Sequence, residues 1–166
     1  MVNKNGSDDM VAKIISAFPC CGKSYFAKTH IDIHSLDLDS SFYSCIDNHG
    51  SKVRNPNFPD NYINDIKEYM ENYDFIFVSS HISVRTALRN RNIPYILVYP
   101  DNTPDCFQEW KQRCYQSNKI NLWDMFLGNC WSSLLHSCKG DNGAKKHYLL
   151  QTTEYIDKVV QIEQNL

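Results

Sequence analysis

Short apolar runs that alternate with helix-patterned stretches constrain the fold of this chain more than any other feature. Residues 10–17 (MVAKIISA), Ile33 to Leu38, Phe75 to Ser79, Pro94 to Tyr99 and Tyr148 to Leu150 read as strands. They are continuously apolar rather than alternating, so both faces must be covered, as in a parallel sheet with helices on either side. The expected fold is therefore α/β, three-layered, with five parallel strands. Helical spacing appears at Ser24 to His30 and after Pro59, where Ile63, Ile66, Met70 and Tyr73 form one stripe. Val84, Ala87 and Leu88 mark the next helix, and Thr103-Pro104 opens another to about Tyr115. A helix from Leu122 carries Met125, Phe126, Cys130, Leu134 and Leu135 on one side, and Thr153 caps a last helix with Ile156, Val159 and Val160 inward. The stretch through Asn48-His49-Gly50 and Asn55-Pro56-Asn57 reads as loop. Met1 to Asp9 reads as a frayed tail, and residues 10–166 as a single domain.

With 166 residues, 42% hydrophobic and 13% aromatic, the chain has apolar area enough for one core. Its longest uncharged apolar run, Tyr95 to Tyr99, is far short of the roughly 20 residues that cross a bilayer, so no membrane is expected. A net charge of −2 argues against long nucleic acid as partner. The charge is segregated: residues 31–80 hold nine acids against three bases, and residues 81–120 six bases against three acids. That suits either an acidic, metal-tolerant edge facing a phosphate-facing segment, or chance segregation on solvated faces. Seven cysteines without a Cys-x-x-Cys pair, and no apolar signal core in Met1 to Met10, point to a reducing, cytoplasmic setting. Cys106, Cys114, Cys130 and Cys138 read as small core residues.

Ligands of such sheets bind at the carboxyl ends of the strands. The turn after the first strand, Pro19-Cys20-Cys21-Gly22-Lys23-Ser24-Tyr25, resembles a Walker A phosphate loop with its closing Gly-Lys-Ser intact. Backbone N–H groups would cradle phosphates, Lys23 would reach the outer ones, and Ser24 would ligate Mg²⁺. Asp37 and Asp39 end the second strand. One can orient or deprotonate an acceptor hydroxyl and the other can hold Mg²⁺ through water; Asp39 takes the acceptor role and Asp37 the metal. A hydrogen-bonded turn is the plainer alternative for this pair. Ser79-Ser80-His81 ends the third strand, and Arg85, one turn into the next helix, can fork onto a phosphate monoester.

From about Val11 to Gln161 the chain resembles the P-loop nucleoside and nucleotide kinases. It is similar to small kinase-like proteins encoded by bacteriophages in its loop ending Gly22-Lys23-Ser24, in Leu36-Asp37-Leu38-Asp39-Ser40, and in Asn55 to Ile63. Phe77 to His81 with Val84-Arg85, and Leu97 to Pro100, continue the likeness. The resemblance implies strand order 2-3-1-4-5, ATP with Mg²⁺, and a nucleoside monophosphate acceptor in deoxynucleotide metabolism. It further implies an acceptor segment at about 40–72, where Arg54 would hold the acceptor phosphate and Asn61, Phe58 and Tyr62 would read and stack a base, Tyr62 being equally suited to the core. Ser80 and His81 would face the acceptor. A mobile lid at about 101–120 would bring Arg113 over the phosphates. Lys23, Asp39, Arg85 and Arg113 are then the catalytic set. Ala17 and Cys20 stand where the Gly-x-Pro-Gly-x-Gly-Lys variant of this loop has glycine. Two other readings stay open: a kinase acting on a hydroxyl of a nucleoside, small metabolite or nucleic-acid 5′ end, and a nucleotide-binding regulator without catalysis. A second copy of the chain stays open as a partner.

Overall fold

A computed structural model describes residues 11–166; the expected tail, Met1 to Asp9, and the first residue of the expected strand, Met10, lie outside the described residues. In chain order the elements are β1 (Lys13–Ala17), α1 (Lys23–Thr29), β2 (Ser35–Asp37), α2 (Ser41–Ser44), β3 (Cys45–Asn48), β4 (Ser51–Arg54), α3 (Asp60–Tyr69) and β5 (Phe75–Ser79). They continue with α4 (Ile82–Asn90), β6 (Tyr95–Pro100), α5 (Pro104–Gln116), α6 (Ile120–Leu122), a π-helical turn (Trp123–Leu127), α7 (Gly128–Lys139), β7 (Lys146–Leu150) and α8 (Ile156–Gln164). Five strands pair in parallel in the order β2-β5-β1-β6-β7. The central strands β1, β5 and β6 are buried almost throughout, as continuous apolar runs require of a sheet covered on both faces.

The labels differ from the expected 2-3-1-4-5 only because two strands outside this sheet were not foreseen; its own five strands, taken in chain order, run second, third, first, fourth, fifth. The stretch read as loop contains an antiparallel hairpin, β3–β4, paired only with itself. All eight of its strand residues are exposed, so neither an apolar face nor alternation announces it. Its turn was legible: His49 (φ 54°) and Gly50 (φ 85°) both take the left-handed conformation that two-residue hairpin loops require, and Asp47 Oδ1 accepts the Gly50 N–H at 2.8 Å.

Two helix expectations need correction. Met125 and Phe126 face outward, with Met125 78% exposed, because the π turn rotates the chain and buries Trp123 and Leu127 instead. Trp131 then packs edge-on or tilted against Phe18, Phe107, Trp110 and Trp123, with centroids 5.6–6.4 Å apart. Thr153 does not cap the last helix; α8 begins at Ile156, whose N–H is bound by Cys21 O at 2.9 Å. Thr103 does cap α5, accepting the Cys106 N–H at 3.2 Å. Cys106, Cys114 and Cys138 are buried, while Cys130 is half-buried. Among the described residues no helix is long and apolar enough to cross a membrane.

Candidate functional site

The turn after β1 is tied down from three sides. Phe18 N–H donates to Val98 O (2.9 Å), Trp110 Nε1 to Pro19 O (3.0 Å), and Ile156 N–H to Cys21 O (2.9 Å). Cys20 (φ 62°) and Gly22 (φ 90°) take left-handed angles that swing the chain from strand into α1. At Gly22 a Cβ would meet Tyr155 Cδ1 at 3.1 Å in a backbone conformation that L-residues resist. Gly22→Ala is therefore expected to cost about 1–2 kcal/mol, read from urea unfolding; an unchanged midpoint would mean that the turn relaxes freely.

Lys23 folds back over this loop. Its Nζ donates to Ala17 O at 2.8 Å and Phe18 O at 3.3 Å, and burial pushes its pKa down against the raising influence of Cys21 and Asp37. The Ser24 hydroxyl is hydrogen-bonded to the Asp37 carboxylate, which brings the end of β2 to the foot of α1. Cys21 is wholly buried and its thiol is pushed up to about 12 by that burial, so its side chain belongs to the core rather than to a ligand.

Beside the loop opens a cleft of about 600 Å³ lined by Cys20, Lys23, Ser24, Arg113, Lys119 and Tyr155, with the largely exposed Tyr25 at its edge. Arg113 is 4% exposed. Its guanidinium lies between two rings, 4.1 Å from the Trp110 centroid and 3.8 Å from that of Tyr155, and donates to Glu109 Oε1 (2.8 Å) and Thr152 O (2.7 Å). Its Nη1 is buried with no partner. Over the segment expected as a mobile lid, about 101–120, α5 buries Cys106, Trp110, Arg113 and Cys114, and Arg113 lines the wall of the cleft. Cys20, half-buried at the same wall, has its Sγ 3.0 Å from Cys114 Sγ. The Cys114 thiol's hydrogen bond lowers the Cys20 pKa to about 7, with Lys119, Lys23 and Arg113 adding to it and burial opposing it.

The acceptor segment proves more structural than expected. Tyr62 is fully buried, donating to Leu38 O (2.5 Å) and accepting the Ser79 N–H (3.2 Å), so it pins the end of β2 to the end of β5. Asn61 Nδ2 donates to Tyr43 O (3.1 Å) and its Oδ1 accepts the Tyr62 N–H (2.8 Å), which leaves its polar groups engaged within the fold. Phe58 packs half-buried against Tyr62, centroids 6.1 Å apart. Asp39 is exposed and accepts the Ser41 N–H at 2.8 Å, the hydrogen-bonded turn of the plainer alternative.

Arg85, expected at an acceptor phosphate, is engaged within the fold in this structure. It is buried and ion-paired with Asp141, and donates to Ser80 O (2.8 Å) and Ser137 Oγ (2.8 Å). A guanidinium so engaged holds α4 to the end of α7. His81 caps α4, its Nδ1 accepting the Ser83 N–H at 3.2 Å; burial lowers its pKa, and so do Arg54 and Arg85. Arg54 itself is exposed at the end of β4. A smaller pocket of about 140 Å³ at the tip of β5 is lined by Pro19, Ser80, His81, Arg85 and Phe126.

Lys119, Tyr155, Trp110 and Asp141 were not foreseen. Lys119 belongs to the cationic segment and could have been found from it; Tyr155 and Asp141 meet their partners only through the fold. Among the described residues no three His, Cys, Asp or Glu side chains gather as a metal group. Set against protein-family profiles, curated proteins and solved structures, the chain matches none of them.

Proposed function

We propose that the protein is an ATP- and Mg²⁺-dependent phosphotransferase acting on a nucleoside monophosphate, a deoxynucleotide in the reading its resemblance to phage kinases suggests. The observation that carries it is the loop Pro19 to Ser24 opening on a cleft walled by Lys23, Lys119 and an Arg113 with an unused buried Nη1. A buried donor without a partner is costly, and an anionic phosphate would relieve it. Ser24 and Asp37, in contact at the foot of the loop, offer the hydroxyl and carboxylate oxygens that Mg²⁺ accepts when water and substrate phosphates complete its shell. When bound, the ion would neutralise charge on the transferring phosphate. Lys23 would leave the carbonyls of Ala17 and Phe18 for the outer phosphates, Arg113 would hold its position on α5, and Arg54 would hold the acceptor beside His81.

One observation favours a second reading. With Arg85 engaged by Asp141, Arg54 alone is left for the acceptor phosphate, which suits a hydroxyl acceptor such as a nucleoside. ADP release measured with ribo- and deoxyribonucleoside monophosphates, nucleosides and a DNA oligonucleotide decides between them. Release with monophosphates alone supports the proposal, release with nucleosides supports the second reading, and tight ATP binding without release on any acceptor makes the protein a non-catalytic nucleotide binder. In the same assay Asp37→Asn is expected to raise the Mg²⁺ requirement and lower kcat by about 10²-fold, the scale of one lost preorganised charge partner. Asp39→Asn should lower kcat with ATP affinity spared; negligible effects from both would return the pair to a structural turn.

A further inference from the structure

Cys20 and Cys114 are 94 residues apart in sequence and 3.0 Å apart at sulfur. They are the one sulfur–sulfur contact among the described residues. Their surroundings are unequal. Cys20 is half-buried and lines the open cleft, where Lys23, Lys119 and Arg113 favour a negative sulfur. Cys114 is fully buried on α5. Cys20 also sits at φ 62°, so its side chain is presented toward α5 by a turn fixed through Pro19 O and Cys21 O.

An accessible thiol in a cationic cleft, backed by a second thiol within reach, is the arrangement of an attacking and a resolving cysteine. We propose that Cys20 and Cys114 form a reversible modification site for a small anionic disulfide of the glutathione class. The Cys20 thiolate attacks one sulfur of oxidised glutathione, forming a mixed disulfide and releasing one glutathione thiolate. Cys114 then attacks Cys20 Sγ, its proton passing to the released thiolate, and the second glutathione leaves. Two protein thiols are oxidised to one disulfide, and one oxidised glutathione is reduced to two glutathione thiols. The sulfurs need to close by about 1 Å to reach the bonded distance of about 2.05 Å. The product staples the turn after β1 to α5 along the cleft wall. This inference stands on the sulfur geometry and does not require a nucleotide in the cleft.

The other cysteines define the comparison. Cys21, Cys106 and Cys138 are buried, Cys130 is half-buried, and Cys45 is exposed on the β3–β4 hairpin with no cysteine beside it. The test uses the full chain at neutral pH with millimolar oxidised glutathione, free thiols then being blocked by iodoacetamide and the peptides mapped by mass. The expected product joins the Cys20 and Cys114 peptides with loss of two hydrogens, and dithiothreitol restores both thiols. Cys114→Ser should stop the reaction with one glutathione held on Cys20. Cys45→Ser should leave the crosslink intact, and because Cys45 is exposed this variant also serves if Cys114→Ser fails to fold. Glutathione on Cys45 with both Cys20 and Cys114 still free would overturn the proposal, as would a stable Cys20–glutathione adduct in the unaltered chain.

Discussion

Asp141→Ala is expected to destabilise the protein by about 3–5 kcal/mol, because it leaves the buried Arg85 guanidinium without its counter-charge. The carboxylate also accepts from Tyr95 Oη (3.0 and 2.9 Å) and from the Gly143 N–H (2.9 Å), so one truncation strips partners from α4, β6 and the turn before β7. Chemical unfolding of the variant measures this directly, and a loss below about 1 kcal/mol would show the network to be dispensable. Replacing both Arg85 and Asp141 with Met and Leu should recover much of the loss, since a buried pair exchanged for packed apolar groups is often neutral or better. Acid stability follows the same network. Burial alone would raise the Asp141 pKa, but the hydrogen bonds from Arg85, Gly143 and Tyr95 outweigh it and hold the carboxyl below its ordinary range. Its stabilisation is therefore present above the unfolded carboxylate pKa and disappears as pH falls through the depressed value. The Asp141→Ala chain should lack that part of the acid transition.

If the protein is the phosphotransferase proposed above, Lys23→Ala is expected to lower its transfer rate by at least about 10²-fold, as deletion of a preorganised positive charge does at developing negative charge. In the structure this lysine is half-buried and bound to two loop carbonyls rather than solvent-facing, so the variant should also lose up to about 1.5 kcal/mol of stability. The two effects separate by measuring ADP release at a temperature where the variant is fully folded. Wild-type turnover there would remove Gly22-Lys23-Ser24 from the mechanism. Lys23→Arg is a useful companion: it keeps the charge, but its rigid fork does not fit a site shaped for a single ammonium.

The sheet was legible because burial on both faces leaves an unmistakable mark on sequence, and FIFVS at Phe75 to Ser79 could hardly be anything but a central strand. The hairpin β3–β4 left no such mark, since exposed strands answer to no apolar pattern. The turn from β1 into α1 was legible for a different reason. Its Gly-Lys-Ser tripeptide is local, and local backbone preference survives in one dimension. The contacts of Arg85, Arg113, Asn61 and Tyr62 were not legible, because each depends on partners 18 to 56 residues away: Asp141 for Arg85, Thr152 for Arg113, Tyr43 for Asn61 and Leu38 for Tyr62. An arginine read alone can be a phosphate ligand or half of an ion pair. Only the fold decides which.

The indole of Trp110 bonds to Pro19 O while its ring lies against the Arg113 guanidinium, so one fluorophore touches both the turn after β1 and the wall of the cleft. Indole emission responds to the field and hydrogen bonding around its ring. Once the emission of Trp110 is separated from that of Trp123 and Trp131, it would gauge the loop, and a ligand or a bond that shifts Pro19 could be followed in real time without attaching a dye.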